Sequence, residues 1–365
     1  MLIYQKRLEK LQNLLKEISC DGYLIEDPIN LYYLTGLNLS TGLLLVHAHG
    51  AHLLVDSRYY ELCKTHSPIP VILTLPKERA FIDLLKGCSE IKILAFSSDS
   101  TSYQRYMELE NCVKETALQS SARKISLSPA INLVKQLRSI KDPEEIVCLR
   151  DAAALGSQGF TFVCSLLRDG ISEIEIAREL EIFWKQRGSK TVAFDPIIAF
   201  GANSSMPHHR AGPTKLKKGD TVLIDIGVNF NHYHSDMTRV VFFDGADPKI
   251  LSIYAIVKEA QAAALALCRP GTLIGDLDSA ARDLIASHGY GSHFTHSLGH
   301  GIGLEIHEGP TLRNVPQVKD IPLQAGMVIT IEPGIYLPGV GGVRLEDTVV
   351  ITAEGYENLT CLPLL

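Results

Sequence analysis

The chain of 365 residues has no C-x-x-C pair and no dense cysteine framework; its eight cysteines (Cys20, Cys63, Cys88, Cys112, Cys148, Cys164, Cys268 and Cys361) lie far apart. Such spacing excludes a disulfide scaffold and is the usage of reduced, mostly buried thiols. No stretch approaches the ~20 apolar residues needed to span a bilayer, so no membrane partner is expected. The opening MLIYQKRLEKLQNLLKEI carries charges throughout and lacks the uninterrupted apolar h-region of a signal peptide. Basic charge is not in excess either. The 35 Lys and Arg are interspersed with 41 Asp and Glu, a net charge of −6, which supplies no stripe to neutralise phosphates and argues against nucleic acid. Repeats and low-complexity tracts are also missing. What remains is a cytoplasmic enzyme: 46% hydrophobic residues can bury a sizeable core, and the length fits two domains.

Leu8, Leu11, Leu15 and Ile18 fall at helical spacing, which predicts an amphipathic N-terminal helix. Short apolar runs at Gly22 to Ile25, Gly42 to Val46, His52 to Val55, Val71 to Leu75 and Ile91 to Phe96 alternate with helical or turn-rich segments, the pattern of an α/β domain. The pattern lapses at SARKISLS, residues 121–128. Then Asp142-Pro143-Glu144-Glu145 supplies an N-cap, a proline at N1 and a glutamate at N3. We place the domains at 1–122 and 123–365. In the second, helices are expected behind Asp142, behind the Ser172/Glu175 capping box, over Ile250 to Cys268 and over Asp276 to His288. The runs TVLIDIG, TRVVFF, MVITIEPGIY and VRLEDTVVI add a mainly antiparallel sheet, so the C-terminal domain is α+β.

Asp225 closes the run VLID and Asp236 follows the loop NFNHYHS. A hairpin centred on Phe230 and Asn231 would set the two aspartates opposite one another, Cβ atoms ~5 Å apart. Carboxylates that close need a shared proton or a cation, although two loop-edge aspartates facing water would look the same in sequence. His300 lies in HSLGHGIGLEIHE, where histidines recur at 296, 300 and 307 among glycines. One histidine beside apolar residues is usually a core residue; three in a glycine-rich run, where backbone can approach a ligand, are harder to explain that way. Glu332 ends the run VITI and Glu346 interrupts VRLEDTVVI, and carboxylates in buried runs are rare unless paired or metal-bound. Four carboxylates and one neutral imidazole sum to a charge of −4, which two divalent ions cancel. Oxygen-rich ligation with one histidine suits Mn²⁺, Co²⁺, Fe²⁺ or Zn²⁺, and a metal pair of this kind activates water for hydrolysis.

IDIG, SDMTR, GHGIGLEIHE, TIEPG and VRLED resemble, in order and spacing over roughly residues 140 to 365, the five metal-binding blocks of the pita-bread (creatinase/aminopeptidase) metallopeptidases. The junction RSIKDPEE and the domain before it are similar to the aminopeptidase P and prolidase branch, which has a creatinase-like N-terminal domain. The resemblance implies that Asp225 binds one metal, that Asp236 and Glu346 bridge both, and that His300 and Glu332 complete the shells, Glu332 also shuttling a proton. It further implies that His208 (or its neighbour His209) contacts substrate near the scissile bond, that His307 hydrogen-bonds the carbonyl oxygen, that His296 lines the substrate pocket, and that Arg344 orients Glu346. Two Mn²⁺ ions lead the cofactor expectation, and a homodimer is implied. The substrate implied is a peptide with proline at position two. Prolidases commonly sense the dipeptide carboxylate with an arginine four residues beyond the histidine matching His307; that position is Thr311, with Arg313 close by. On this departure the main expectation is an Xaa-Pro aminopeptidase, the alternative an Xaa-Pro dipeptidase. A non-enzymatic peptide- or protein-binding module of the same fold is a remote third reading, disfavoured because all five ligands are present.

Overall fold

The computed structural model describes residues 2–74, 77–119, 124–360 and 362. The chain divides into two compact units, Met1–Arg138 and Ser139–Leu365. In the first, strands β1 (Gly22–Ile25), β2 (Leu43–His47), β3 (Gly50–Val55), β4 (Val71–Leu73), β5 (Ile93–Ser97) and β6 (Ser126–Ala130) form one sheet in the order β4-β3-β2-β1-β5-β6. It is mixed: β1 with β2 and β2 with β3 are antiparallel, the other neighbours parallel. Leu8, Leu11 and Leu15 of helix Leu2–Glu17 are buried as their spacing predicts, whereas Ile18 lies beyond the helix and is exposed. The expected domain boundary at 122/123 lies outside the described residues. The observed division comes later because Ser126–Ala130, a polar stretch holding Pro129, joins the first sheet as its edge strand. Proline is tolerated at a sheet edge, where its missing N–H breaks no ladder.

The second unit begins with helix Pro143–Leu166 and helix Glu173–Lys185; Asp142 with Glu145 and Ser172 with Glu175 form the two capping boxes. Strands β7 (Thr191–Val192), β8 (Ile197–Phe200), β9 (Thr221–Ile226), β10 (Val228–Phe230), β11 (Tyr233–His234) and β12 (Met237–Phe242) precede helices Pro248–Leu265 and Ile274–Ser287. Strands β13 (Gly299–Gly301), β14 (Glu308–Leu312), β15 (Val328–Ile331), β16 (Gly334–Leu337), β17 (Gly341–Arg344), β18 (Asp347–Ile351) and β19 (Tyr356–Asn358) follow. Every strand pairing in this unit is antiparallel. Ile253, Val257, Leu277 and Ala281 from the two later helices pack with Ile329, Ile331 and Val349 from the strands in one core cluster. The sheets thus hold their polar residues over a helical backing. No helix among the described residues is long and apolar enough to cross a membrane.

Candidate metal centre

The hairpin after Asp225 differs by one residue from its sequence expectation. Asn231 and His232 both take positive φ (51° and 73°), the conformation of a two-residue turn whose twist matches that of the strands. The register therefore pairs Phe230 with Tyr233, and beyond it Asp225 faces Thr238, not Asp236. Asp236 sits two residues from Thr238, on the same face by the alternation of a strand, so the aspartates meet diagonally. Thr238 also bridges to Glu346: the Glu346 N–H donates to the Thr238 carbonyl (3.1 Å), and Thr238 Oγ1 donates to Glu346 Oε2 (2.7 Å). One threonine thus stands between three carboxylates. Its place two residues after Asp236 was the available signal.

His300 arrives on β13, paired with Thr311 of β14. A Cβ at Gly299 would collide with the Thr330 carbonyl, so the glycine before the histidine is required for β13 to lie this close to β15. The His300 N–H donates to Thr330 Oγ1 (3.0 Å) and its Nδ1 meets the Gly301 carbonyl (3.0 Å). With the proton on Nδ1, Nε2 presents a lone pair, and it stands 3.6 Å from Asp236 Oδ2 and 3.5 Å from Glu332 Oε1. Burial, and then His307, push His300 down to about 4, so the ring is neutral. Glu332 follows β15 and accepts from Thr330 Oγ1 (3.2 Å).

The electrostatics are those of a donor set built for cations. Burial first, and then the neighbouring carboxylates, hold Asp236 and Glu346 well above the usual range, and burial raises Glu332 to about 8. Asp225 Oδ1 and Glu346 Oε1 are buried without a hydrogen-bond partner, which is costly unless something absent from the protein chain satisfies them. Donor atoms of Asp236, His300 and Glu346 all lie within 4.8 Å of one another. Four carboxylates, one neutral imidazole and two orphaned oxygens fit divalent cations.

Arg344 reaches Glu346 only through Thr238. It does not touch Glu346 directly; it donates to Asp225 Oδ2, to Tyr336 OH (2.6 Å) and, through Nε, to Thr238 Oγ1 (3.2 Å). The cause is register: Arg344 ends β17 opposite Gly334 of β16, while Glu346 has passed to the Thr238 bridge. Tyr336, unforeseen from sequence, receives Arg344 and passes its own proton towards His296 Nε2 (2.9 Å), while His296 Nδ1 meets the Ser297 carbonyl (2.8 Å). Burial and Arg344 push His296 down to about 4. Both of its ring nitrogens are therefore engaged within the chain.

His208 is exposed, whereas His209 turns away to Glu173 Oε2 (2.9 Å). His307 lies at the exposed edge, its ring 4.3 Å from that of His300 at 73°. Arg313 is exposed one residue past β14; by strand alternation it falls on the face of Thr311, which is opposite His300. A further residue missed in sequence is Glu173, fully buried, which accepts from the N–H groups of Phe200 (2.9 Å) and Gly212 (3.0 Å) and from Asn203 Nδ2 (2.8 Å). It ties down the segment that carries His208.

Residues 147–353 match the model of metallopeptidase family M24, and residues 7–140 match the creatinase/prolidase N-terminal domain. The chain is 39% identical to an Xaa-Pro dipeptidase of Pyrococcus furiosus over 98% of both chains. It superimposes on an Xaa-Pro dipeptidase from Bacillus anthracis with a TM-score of 0.91, at 33% identity over 99% of both chains. An X-Pro aminopeptidase from Thermotoga maritima is similar at TM-score 0.83 and 34% identity, over 96% of this chain and 98% of that one.

Proposed function

Since the chain belongs to metallopeptidase family M24 and is a metallo-exopeptidase, we propose that it is an Xaa-Pro dipeptidase using two divalent metal ions, Mn²⁺ first among the candidates. The observation that supports metal dependence is the buried cluster of Asp236, His300 and Glu346 donor atoms within 4.8 Å of one another, with Glu332 3.5 Å from His300 and with partnerless buried oxygens on Asp225 and Glu346. The dipeptide reading displaces the aminopeptidase expected from Thr311. It rests on full-length similarity to proteins named Xaa-Pro dipeptidase.

In this reading the ions, when bound, supply an activated water and Lewis-acid polarisation of the scissile carbonyl. Asp225, Asp236, His300, Glu332 and Glu346 hold them, and Arg344 and Thr238 fix the Asp225 and Glu346 carboxylates. Glu332, whose Oε1 lies 3.5 Å from His300 Nε2, would accept a proton from the attacking water and return it to the leaving nitrogen. His307, at the exposed edge beside His300, donates to the developing oxyanion. His208 contacts substrate from the opposite segment. Proline after the scissile bond suits a site that recognises a ring and asks for no N–H from that nitrogen.

One observation favours the aminopeptidase as a second reading: Thr311 offers no cation for a dipeptide carboxylate, and Arg313 is the candidate substitute. The deciding measurement is kcat/KM on an Xaa-Pro dipeptide and on its Xaa-Pro-Xaa extension. The dipeptidase reading expects the dipeptide to be strongly preferred; equal or better cleavage of the tripeptide overturns it.

A further inference from the structure

A second cluster of ligand-type side chains lies in the N-terminal unit. Three histidines fall within six residues, His47, His49 and His52, at the turn joining β2 to β3. Register decides which of them converge. His52 pairs with Leu45 and His47 closes the hairpin against Gly50; His47 is two residues from Leu45, so His47 and His52 project from the same face. Their rings stack with centroids 5.5 Å apart and planes within 6°. His49, in the turn itself, is exposed. From the other side comes Cys88, buried just past helix Lys77–Gly87. Its Sγ is 3.9 Å from His47 Nε2, and donor atoms of His47, His52 and Cys88 lie within 4.8 Å of one another. Glu90 then reaches back, with Oε1 2.8 Å from His47 Nδ1.

We propose that His47, His52 and Cys88 form a metal site for a thiophilic divalent cation, Zn²⁺, with Glu90 steering the His47 ring. The chemistry of the donors selects the ion. Two imidazoles and a thiolate are softer than the carboxylate-rich set of the C-terminal unit, and they suit zinc. Ligands ~2.05 Å (nitrogen) and ~2.3 Å (sulfur) from a tetrahedral zinc stand ~3.6 Å apart, close to the 3.9 Å between His47 Nε2 and Cys88 Sγ. The Glu90 carboxylate stands 2.8 Å from His47 Nδ1 without a hydrogen bond to it in the chain alone; on a bound ion a small turn of the ring would complete the carboxylate–histidine–metal arrangement. His52 Nδ1 is buried with no hydrogen-bond partner, a cost that an ordinary packed histidine avoids. A zinc here would tie the β2–β3 hairpin to the end of helix Lys77–Gly87, stapling two sides of the first core.

The test is optical titration of the reduced full-length protein with Co²⁺, a spectroscopic stand-in for zinc. Only a cysteine ligand gives a thiolate-to-cobalt charge-transfer band in the near ultraviolet, and the C-terminal donor set contains no cysteine. The wild type should develop this band to one sulfur-bound cobalt per chain, and added Zn²⁺ should bleach it. C88S should abolish the band while C20S, altering a cysteine outside the cluster, retains it. H52A should weaken cobalt binding at least tenfold, and E90Q ~10- to 100-fold. A wild type without the band at excess Co²⁺, or a band of full intensity in C88S, overturns the site. Should C88S fail to fold, H52A decides: unchanged cobalt affinity there overturns it equally.

Discussion

At the residue scale, the informative groups are those that touch two others. Thr238 Oγ1 donates to Glu346 and receives Arg344, so T238V removes the link between Glu346 and the arginine, which holds Asp225 directly. Metal affinity should fall ~10- to 100-fold, as for other residues that orient ligands, with the fold retained; competition against a chelator measures it, and unchanged affinity would show that the link is dispensable. D236A goes further, because it removes a ligand: bound metal and nearly all turnover should be lost from a folded protein. Arg313 addresses substrate length. If it clamps the dipeptide carboxylate, R313A should lose roughly ten- to a hundredfold in dipeptide kcat/KM, the worth of a charge-assisted hydrogen bond of ~1.5 to 3 kcal/mol, while tripeptide turnover hardly moves.

At the element scale, patterned elements were legible and register was not. The capping boxes at Asp142 and Ser172 announced their helices because a side-chain cap leaves a fixed i, i+3 signature. Strand β6 was invisible because SLSPA is short, holds a proline and has no β-branched or aromatic residue; its partner strand supplies what its sequence lacks. All five candidate ligands were legible as acids or a histidine placed against apolar runs. Which carboxylate faces which was not, since moving the turn from Phe230–Asn231 to Asn231–His232 shifts every pairing beyond it by two residues. Glu173 escaped notice for a related reason: a glutamate opening a helix resembles an ordinary favourable charge at the helix dipole, and only the fold reveals the four donors around it. E173A should leave those groups unsatisfied and loosen the His208 segment. We expect lower kcat with metal content unchanged, read by steady-state kinetics beside metal analysis; normal kcat would separate Glu173 from the site.

At the scale of the whole molecule, the metal centre sets how stability responds to pH. A carboxyl whose folded value is raised stabilises the fold while protonated, and loses that contribution as pH rises through the folded value. Asp236, Glu346 and Glu332 are all of this kind, Glu332 reaching about 8. His296 and His300 act in the opposite sense, but only between about 4 and 6.5. From pH 6.5 to about 8 the carboxyls therefore dominate: the Tm of metal-free protein should fall across this window, and the rise in Tm on adding Mn²⁺ should grow. Thermal melts at both ends, with and without metal, check this; an equal metal-induced shift at each would refute it.

The ligands are also spread in time. Asp225 and Glu346 are 346 − 225 = 121 residues apart, and at a synthesis rate of about 5 to 20 residues per second the ribosome delivers the last one roughly 6 to 24 s after the first. Throughout that interval the nascent chain already exposes the first aspartates but cannot close a metal centre. A centre assembled in this way cannot form before Glu346 has been made, so the order of the ligands along the chain sets the earliest moment at which it can bind its metals.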